Sequence, residues 1–340
     1  MKILLLGPKR GIDEKRTGGT IVLFDIFINE LINQNIDFII IDTNKSNYKN
    51  KITAYFSIII QIACKTRKCI HLSLHGTAMD YLLIGPFVIL FTKIFGKKIS
   101  LRKFAGNFDE IYKQSNFIKK NIIRFVLKNS DINFFETKYL VKFFSKFNQD
   151  TFWFPNVRRK NDYFTSNSYS KKFIYLGHIQ EEKGVEDLFQ AAKFLSNDYS
   201  IDFYGNITEK KYKVDEFWKS EVVTYKGVLK PDEVPEIISK YDVLILPSYR
   251  EGYPGVIIEA FSVGVPVIAT FLQGISEIVE DKESGVLISI KDPLMLADSI
   301  RSFSNFNYQK YSESAKKAFL NFDAELQTKR IIKLIQGEFK

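Results

Sequence analysis

Short apolar runs alternate with amphipathic stretches along almost the whole chain. In the first half, runs rich in Ile, Leu and Phe predict buried strands at 2–6, 36–41, 70–74, 98–101 and 132–135. Between them, apolar residues spaced three and four apart predict helices, for example at 21–32 and 118–128. This alternation is typical of a parallel sheet whose strands are joined by crossover helices.

A polar segment rich in Asn and Ser interrupts this pattern, and we predict a linker at 158–172. The alternation then resumes, with strands predicted at 173–176, 200–204, 222–225, 243–246, 265–269 and 285–288 and helices at 185–195, 231–239, 256–263 and 293–303. We therefore expect two doubly wound α/β domains, 1–157 and 173–319, facing each other across a cleft. A helix at about 320–340 completes the first domain.

The length of 340 residues agrees with two domains, and 45% hydrophobic and 26% charged residues indicate a globular chain. Charge is unevenly distributed. Residues 1–160 hold 27 of the 49 basic and 12 of the 39 acidic residues, whereas the remainder holds 22 basic and 27 acidic ones. The basic half suits phosphate, an anionic lipid surface or nucleic acid, or simply carries solvated lysines. The two cysteines, Cys64 and Cys69, fit reduced thiols in the cytosol.

The most apolar stretch, 81–95, contains Gly85, Pro86 and Lys93 and is too short to span a membrane. We predict a buried helix there. An interfacial segment on a bilayer is the alternative, because several lysines follow closely. The apolar residues 1–6 predict a first strand and not a signal peptide.

Ligands of open α/β sheets bind beyond the carboxyl ends of the strands, so the loops that follow strands deserve most weight. Gly18 and Gly19 precede the first helix, and Lys183 lies near a predicted helix start after the strand 173–176. Paired glycines and a helix start suit a phosphate group, although a flexible loop and a solvated lysine explain them equally well. A G-x-G-x-x-G fingerprint and a P-loop are both absent from the sequence, which argues against a nicotinamide enzyme and a kinase.

The segment 247–266 (PSYREGYPGVIIEAFSVGVP) combines more signals. Gly252 and Gly255 flank Pro254 at the start of a predicted helix, which leaves backbone N–H groups free for a diphosphate. Glu251 lies in the loop, and Glu259 follows eight positions later on the helix. Carboxylates beside an anion site are expected where they accept hydrogen bonds from sugar or ribose hydroxyls. For each glutamate taken alone, a salt-bridged or solvated side chain is the alternative, and the combination of signals argues against it.

The run EGYPGVIIEAFSVGVPVIAT at 251–270 resembles the signature of the retaining nucleotide-sugar glycosyltransferases of family 4, which have the GT-B fold of two Rossmann-like domains. Other segments that agree with this family are LGHIQEEKGVEDLFQAA at 176–192, DFYGN at 202–206, YKGVL at 225–229 and GISEIVEDKESGVLI at 274–288. The resemblance covers the C-terminal domain closely and the N-terminal domain loosely.

The resemblance implies roles for individual residues. Lys183 would hold the donor diphosphate, Glu259 the ribose hydroxyls, and Glu251 the transferred sugar. The remaining donor-binding positions it implies are Gly18, Gly19, Gly252, Tyr253, Pro254, Gly255, Val256 and Glu277.

Two positions depart from the family pattern. His178 stands where the family usually has an Arg that assists the phosphate-binding Lys, and the usual acceptor-side His is absent from 101–110. His178 is a weaker, pH-dependent cation. On the acceptor side we weigh His75, Arg102 and Lys103 as weak candidates, with a capped loop histidine as the alternative for His75.

The resemblance implies transfer of a sugar from a UDP-sugar or GDP-sugar to a hydroxyl of a glycan or polyprenyl-diphosphate-linked glycan, in bacterial cell-surface polysaccharide biosynthesis. It implies retention of configuration, with neither a metal nor a cofactor. A non-catalytic nucleotide-sugar-binding subunit and a nucleotide-sugar epimerase remain alternatives. Nucleic acid is not an expected partner, because no recognition motif occurs. We expect a cytoplasmic protein, with peripheral attachment to the inner face of the membrane left open.

Overall fold

The computed structural model describes residues 2–11, 18–104 and 106–338 and divides the chain into two compact units. The first unit comprises Met1–Val157 and Ala324–Lys340, and the second comprises Arg158–Asp323. Residues 12–17, which belong to the predicted glycine-containing loop at 7–20, lie outside the described residues, as does Ala105.

Six parallel strands form the sheet of the first unit, in the spatial order β2-β1-β3-β4-β5-β6. Their bounds are β1 Lys2–Gly7, β2 Asp37–Asp42, β3 His71–Gly76, β4 Lys98–Lys103, β5 Ile132–Phe135 and β6 Thr151–Trp153. The five strands predicted here are confirmed to within two residues at each end. The short strand β6 was not predicted, because its three residues lack a clear apolar pattern.

The first unit's helices cover both faces of this sheet. They are α1 Gly19–Asn33, α2 Lys51–Lys65, α3 Ala78–Leu83, α4 Gly85–Ile94, α5 Phe108–Gln114, α6 Phe117–Asn129 and α7 Lys138–Phe144. Leu4 and Leu6 of β1 pack into the core shared with α2, α3, α4, α6 and α7, whereas Ile3 and Leu5 pack into the core on the α1 side. Successive strand residues point to opposite faces, so one apolar strand stabilises both layers.

The second unit repeats this architecture with the strand order β12-β11-β10-β7-β8-β9, all neighbours being parallel. Its strands are β7 Lys172–Leu176, β8 Ser200–Tyr204, β9 Val223–Gly227, β10 Val243–Leu246, β11 Val267–Thr270 and β12 Gly285–Ile288. Its helices are α8 Val185–Ala192, α9 Val234–Ile238, α10 Gly255–Ser262, α11 Gln273–Ser276, α12 Pro293–Ser302 and α13 Asn305–Phe319. Two doubly wound α/β folds are thereby confirmed.

Residues 158–172, predicted as a linker, are grouped with the second unit. Thr165 is buried, and its hydroxyl donates to the carbonyl of Tyr241 at 3.1 Å. The buried carboxylate of Asp242 accepts hydrogen bonds from the backbone N–H groups of Ser170 and Lys172, each at 2.8 Å. The polar composition of this segment therefore serves hydrogen bonds to the second unit.

The C-terminal helix α14 Ala324–Gln336 is grouped with the first unit. Ile331 and Ile335 of this helix pack with Phe24 and Phe27 of α1 in the core on the α1 side of the sheet. The chain therefore enters the second unit once and returns to cover the first sheet.

The apolar stretch 81–95 forms parts of two helices, α3 and α4, which meet at Ile84 and Gly85. The prediction of a buried helix is wrong, because the stretch forms two helices that expose Leu83, Phe87, Leu90 and Ile94 while Val88 and Ile89 are buried. No helix among the described residues combines the length and the apolar character that crossing a membrane requires.

A chain of buried polar side chains runs along β3 and β4. His71 Nε2 lies 2.9 Å from Ser100 Oγ, which donates to Ser73 Oγ at 3.0 Å, and Ser73 Oγ lies 3.0 Å from His75 Nε2. Burial lowers the pKa of His71 to about 3 and holds the pKa of His75 well below its ordinary value. Both imidazoles are therefore neutral at physiological pH.

We predict that Asp242→Ala lowers the unfolding temperature of the second unit, because two backbone N–H groups and a serine hydroxyl lose a charged, buried acceptor. Hydrogen bonds to charged groups contribute roughly 1.5–3 kcal/mol each. Differential scanning calorimetry measures the effect. The control Asp298→Ala removes an exposed carboxylate paired with Arg301 and should leave the transition unchanged. Equal transitions for the two variants would contradict the role given to Asp242.

We also predict that the first unit loses stability as the pH falls from 7 to 5. Unfolded histidines take up protons below their pKa of about 6.5, whereas folded His71 stays neutral down to about pH 3. A folded pKa below the unfolded value stabilises at higher pH, by up to about 1.4 kcal/mol per pH unit for each such histidine. Urea unfolding at both pH values measures the difference. It should shrink in His71→Gln and persist in His178→Gln, which replaces an exposed histidine; an unchanged difference in His71→Gln would disprove the prediction.

Candidate functional site

The candidate site lies at the carboxyl edge of the second sheet, between the neighbouring strands β7 and β10. The chain continues from β7 to β8 on one side and from β10 to β11 on the other. Such a switch point opens a crevice in a doubly wound sheet, and ligands of these folds bind there. The loops at 177–184 and 247–254 follow these two strands, so the two segments selected from the sequence share one edge.

Lys183 is positioned by a close contact between these loops. It ends a short 3-10 helix, Glu181–Lys183, and Gly184 follows with a φ of +67°. A Cβ on Gly184 would lie 2.0 Å from the carbonyl oxygen of Pro247, so only glycine fits. The backbone N–H of Tyr249 donates to the carbonyl of Glu182 at 2.9 Å. The loop that carries Lys183 is thus held against the loop that follows β10.

Glu251 is the partner of Lys183. Lys183 Nζ lies 2.6 Å from Glu251 Oε1, and Ser248 Oγ donates to the same oxygen at 2.8 Å. Ser248 is fully buried, and its carbonyl accepts a hydrogen bond from the hydroxyl of Thr270 at 2.5 Å. Both members of the ion pair are mostly shielded from solvent, with side chains 21% and 13% exposed. The structure therefore brings together two of the predicted catalytic residues.

Glu259 forms a second ion pair in the same region. Its Oε1 lies 2.6 Å from Nε of Arg158, and a Cβ on Gly255 would clash with the same guanidinium. Arg158 lies in the predicted linker and was not among the site residues predicted from the sequence. Arg158 stands in a run of three basic residues, a pattern that usually indicates a solvated surface, so only the packing identifies it.

The turn at 252–256 leads into α10 and presents backbone N–H groups. Gly255 begins the helix, and Pro254 occupies the N-cap position without a side-chain cap. Gly274 packs against this turn so closely that a Cβ there would lie 1.6 Å from the carbonyl oxygen of Gly252. Tyr253 is buried, with its ring 6.3 Å from that of Phe322. The turn is held from two sides, while Gly252 is exposed and Val256 is half-buried.

His178 and Glu277 lie at the ends of other elements of the same unit. His178 is exposed, and its carbonyl accepts a hydrogen bond from the hydroxyl of Tyr175 at 2.7 Å. Burial, reinforced by Glu251, raises the pKa of Tyr175 far above its ordinary value, so this hydroxyl remains a donor. Glu277 is half-buried directly after α11.

Gly18 and Gly19 belong to the first unit, at the start of α1. Gly18 is the N-cap residue, with a φ of −77°, and a Cβ on either glycine would meet no atom within 4 Å. Internal packing and backbone conformation therefore do not require glycine at these two positions. Both residues are exposed.

A cavity of about 500 Å³ lies at the carboxyl edge of the first sheet. Its lining includes the ends of β1 and β3, neighbouring strands whose chains continue in opposite directions, which is the switch point of this sheet. His75 lines the cavity although its ring is buried against Phe24 and Phe27. Its Nδ1 has no hydrogen-bond partner among the described residues.

Arg102 and Lys103 require a correction. Both side chains are buried, and neither is among the described residues that line the cavity. The Arg102 guanidinium carbon lies 3.5 Å from the ring centre of Phe154, and Lys103 donates to the carbonyl of Phe104. Burial lowers the pKa of Arg102 to about 9 and that of Lys103 to about 8. Both cations lie inside the first unit at the end of β4, away from the described lining of the cavity.

Within the described part of the chain, no cluster of three or more His, Cys, Asp or Glu side chains has an arrangement suited to a metal ion. The charged side chains described at the candidate site of the second unit form two cation–carboxylate pairs near the turn that leads into α10.

Part of the chain matches a known protein family. Residues 158–318 match the family described as glycosyl transferases group 1. TuaC of Bacillus subtilis, assigned to teichuronic acid biosynthesis as a glycosyltransferase, is 32% identical over 132 residues, which are 39% of this chain and 32% of TuaC. WcaL of Escherichia coli, assigned to colanic acid biosynthesis, is 28% identical over 160 residues, covering 43% of this chain and 39% of WcaL. The matches thus span about a third of the length of these curated relatives.

Solved structures resemble the whole chain in fold. Anabaena Alr3699/HepE in complex with UDP superposes with a TM-score of 0.76 at 15% identity, covering 99% of this chain and 100% of that one. The lipopolysaccharide outer core galactosyltransferase WaaB gives a TM-score of 0.72 at 15% identity, with full coverage of both chains. The fold is that of the GT-B glycosyltransferases. The likeness to the glycosyl transferases group 1 family lies in the second unit, over residues 158–318.

Proposed function

We propose that this protein is a retaining glycosyltransferase, which moves a sugar from a nucleoside diphosphate sugar to a hydroxyl of a glycan acceptor. The proposal rests on two ion pairs, Lys183 with Glu251 and Arg158 with Glu259. They lie at the switch point, beside the start of α10, whose first residues have no side-chain cap. Cations and backbone N–H groups suit a diphosphate, and carboxylates suit hydroxyls. The names of TuaC, WcaL and WaaB support a place in bacterial cell-surface polysaccharide biosynthesis.

The donor in this proposal is a UDP-sugar or a GDP-sugar. Glu259 accepts hydrogen bonds from the ribose hydroxyls, and Arg158 orients its carboxylate through the 2.6 Å contact. The UDP in the Anabaena structure supports the uridine nucleotide, since that protein shares the fold. Gly18 and Gly19 keep their predicted role as phosphate-binding backbone, which agrees with their lack of any internal requirement for glycine among the described residues.

Charge stabilisation is the main catalytic contribution of the second unit. Negative charge grows on the departing diphosphate, and Lys183 together with the N–H groups at 252–256 offsets it. His178 adds a weaker cation, and Glu251 holds hydroxyls of the transferred sugar. The departing phosphate takes the acceptor proton on the same face, so configuration is retained without a covalent enzyme intermediate. Neither a metal nor a cofactor has a step in this scheme.

Ligand binding changes the partners of the two ion pairs. Without donor, Lys183 neutralises Glu251, which limits the cost of holding both charges in a shielded site. A diphosphate takes over Lys183, and sugar hydroxyls then donate to Glu251, so each charged group exchanges one partner for another. Ser248 keeps Glu251 in position during the exchange.

The acceptor in this proposal is a glycan or a polyprenyl-diphosphate-linked glycan, and the protein acts in the cytoplasm at the inner face of the membrane. The excess of basic residues in 1–160 supports an anionic acceptor or surface. The cavity beside His75 offers a site for a hydroxyl-bearing group, because the ring has one nitrogen without a partner among the described residues.

We predict that Glu259→Ala weakens UDP or GDP binding by roughly 10- to 100-fold, since a charged acceptor for two hydroxyls is removed. Isothermal titration calorimetry with each nucleotide measures the loss. Glu259→Gln retains an acceptor oxygen and should lose less. Glu283→Ala, which removes an exposed carboxylate paired with Lys310, is the matched control and should bind as wild type does. Binding by Glu259→Ala within twofold of wild type would refute the ribose role.

We predict that Lys183→Ala lowers kcat by about 10²- to 10³-fold, with a smaller change in the KM for donor, because the lysine charge matters most in the transition state. Release of UDP from UDP-sugars, with and without glycan acceptors, measures the rate. Lys240→Ala removes a surface lysine paired with Glu236 and serves as control. Tight nucleotide binding by wild type with no donor hydrolysis or transfer would instead indicate the non-catalytic nucleotide-sugar-binding subunit.

A further inference from the structure

The helix α2 carries two apolar stripes, and only one of them belongs to the core. Ala54, Ile58 and Ile62 are buried against the sheet of the first unit. Ile52, Phe56 and Ile60, four residues apart, form a second stripe and are 70%, 67% and 60% exposed. Residues four apart lie on the same side of a helix, so this second stripe is continuous.

The neighbouring helices continue the exposed stripe. On α4, Phe87, Leu90 and Ile94 are exposed, while Val88 and Ile89 enter the same core as Ile58 and Ile62 of α2. Helix α4 packs against α2 and α3, and α3 adds exposed Met79 and Leu83. We call this surface the α2–α4 face, defined by Ile52, Phe56, Ile60, Met79, Leu83, Phe87, Leu90 and Ile94. Contiguous exposed apolar residues of this number mark an interaction surface.

Charge in this part of the chain has one sign. Asp80 is the sole acidic residue between Asp42 and Asp109, and it is buried and paired with Lys45. The exposed basic residues within α2 and α4, or close to them in the sequence, are Lys49, Lys51, Arg67, Lys68, Lys93 and Lys98. A second copy of the chain would bring like charges together, whereas an anionic bilayer offers opposite charge and an apolar interior.

We propose that the α2–α4 face docks on an anionic lipid bilayer, with its apolar stripes inserted among the acyl chains and its basic residues among the phosphate headgroups. This is an interfacial contact, because none of the helices in the described part of the chain is long and apolar enough to span a bilayer. The contact surface differs from the stretch 81–95 that the sequence singles out, since α2 supplies the most exposed stripe.

The α2–α4 face lies next to the cavity of the first unit. Met79 and Leu83 belong to the α2–α4 face and also line the cavity at the end of β3, as do Lys51 and Tyr55 of α2. An acceptor whose lipid remains in the bilayer therefore reaches this cavity with its polar head alone. This step rests on the proposed glycosyltransferase function, whereas the docking of the face does not.

Vesicle co-sedimentation tests the proposal. Wild type should sediment with phosphatidylglycerol–phosphatidylcholine vesicles and stay in solution with pure phosphatidylcholine. Phe56→Ser/Leu90→Ser should lower binding at least about tenfold, because two large apolar side chains lose their acyl contacts. Phe271→Ser/Phe306→Ser, which replaces two exposed phenylalanines of the second unit, should bind as wild type does. Arg67→Glu/Lys93→Glu should weaken binding, as should raising NaCl to about 0.5 M.

Controls separate the outcomes. All replaced side chains are exposed, so thermal unfolding should match wild type and loss of binding cannot arise from unfolding. The proposal fails if wild type does not sediment with anionic vesicles. It also fails if Phe56→Ser/Leu90→Ser and Phe271→Ser/Phe306→Ser lose vesicle binding equally. A further result that would overturn the proposal is a dimer, seen by light scattering, that Phe56→Ser/Leu90→Ser converts to a monomer, since the partner is then a second copy.

UDP titration separates the docking from the proposed function. The same variants should bind UDP as wild type does. If wild type itself binds no nucleotide, the proposed function fails, while vesicle binding still decides the docking.

Discussion

The candidate site of the second unit depends on the close contact between Gly184 and the carbonyl oxygen of Pro247. It brings the loop after β7 so near the loop after β10 that no side chain fits at Gly184. The positive φ of this residue turns the chain from the 3-10 helix into α8 and leaves Lys183 beside Glu251. A larger residue would separate the loops and with them the two charges, because packed backbone yields little. The chemistry of the site is therefore set by the backbone of two loops.

Paired charges allow this site to exist without a ligand. A shielded lone carboxylate or ammonium is costly, and each cation here meets one carboxylate oxygen at 2.6 Å. A hydroxyl-rich, doubly charged ligand can replace both partners at once, whereas a neutral or purely apolar ligand cannot. Arg158, which enters from the very start of the second unit, shows that a segment of linker-like composition contributes to this arrangement.

The first unit follows a different logic, in which apolar residues face both inward and outward. Strand β1 needs apolar residues on both faces because helices cover both. Helix α2 needs only one apolar stripe for its core, so the stripe of Ile52, Phe56 and Ile60 has no structural purpose inside the unit. The buried cations Arg102 and Lys103 show the converse, since basic residues that suggest an anionic ligand lie inside the unit.

The sequence by itself determined the doubly wound class and every described strand except β6, and it singled out Lys183, Glu251 and Glu259 as candidates. It could do so because β-rich runs, helical spacing and the patterns at 176–192 and 251–270 are local signals. Two features depended on tertiary structure. The partners of these charges, Arg158 and Ser248, come from distant or unremarkable positions, and no local pattern states which side chains a fold brings together. The exposure of an apolar residue is the other, since helical spacing identifies the stripes of α2 but only packing decides which one is covered.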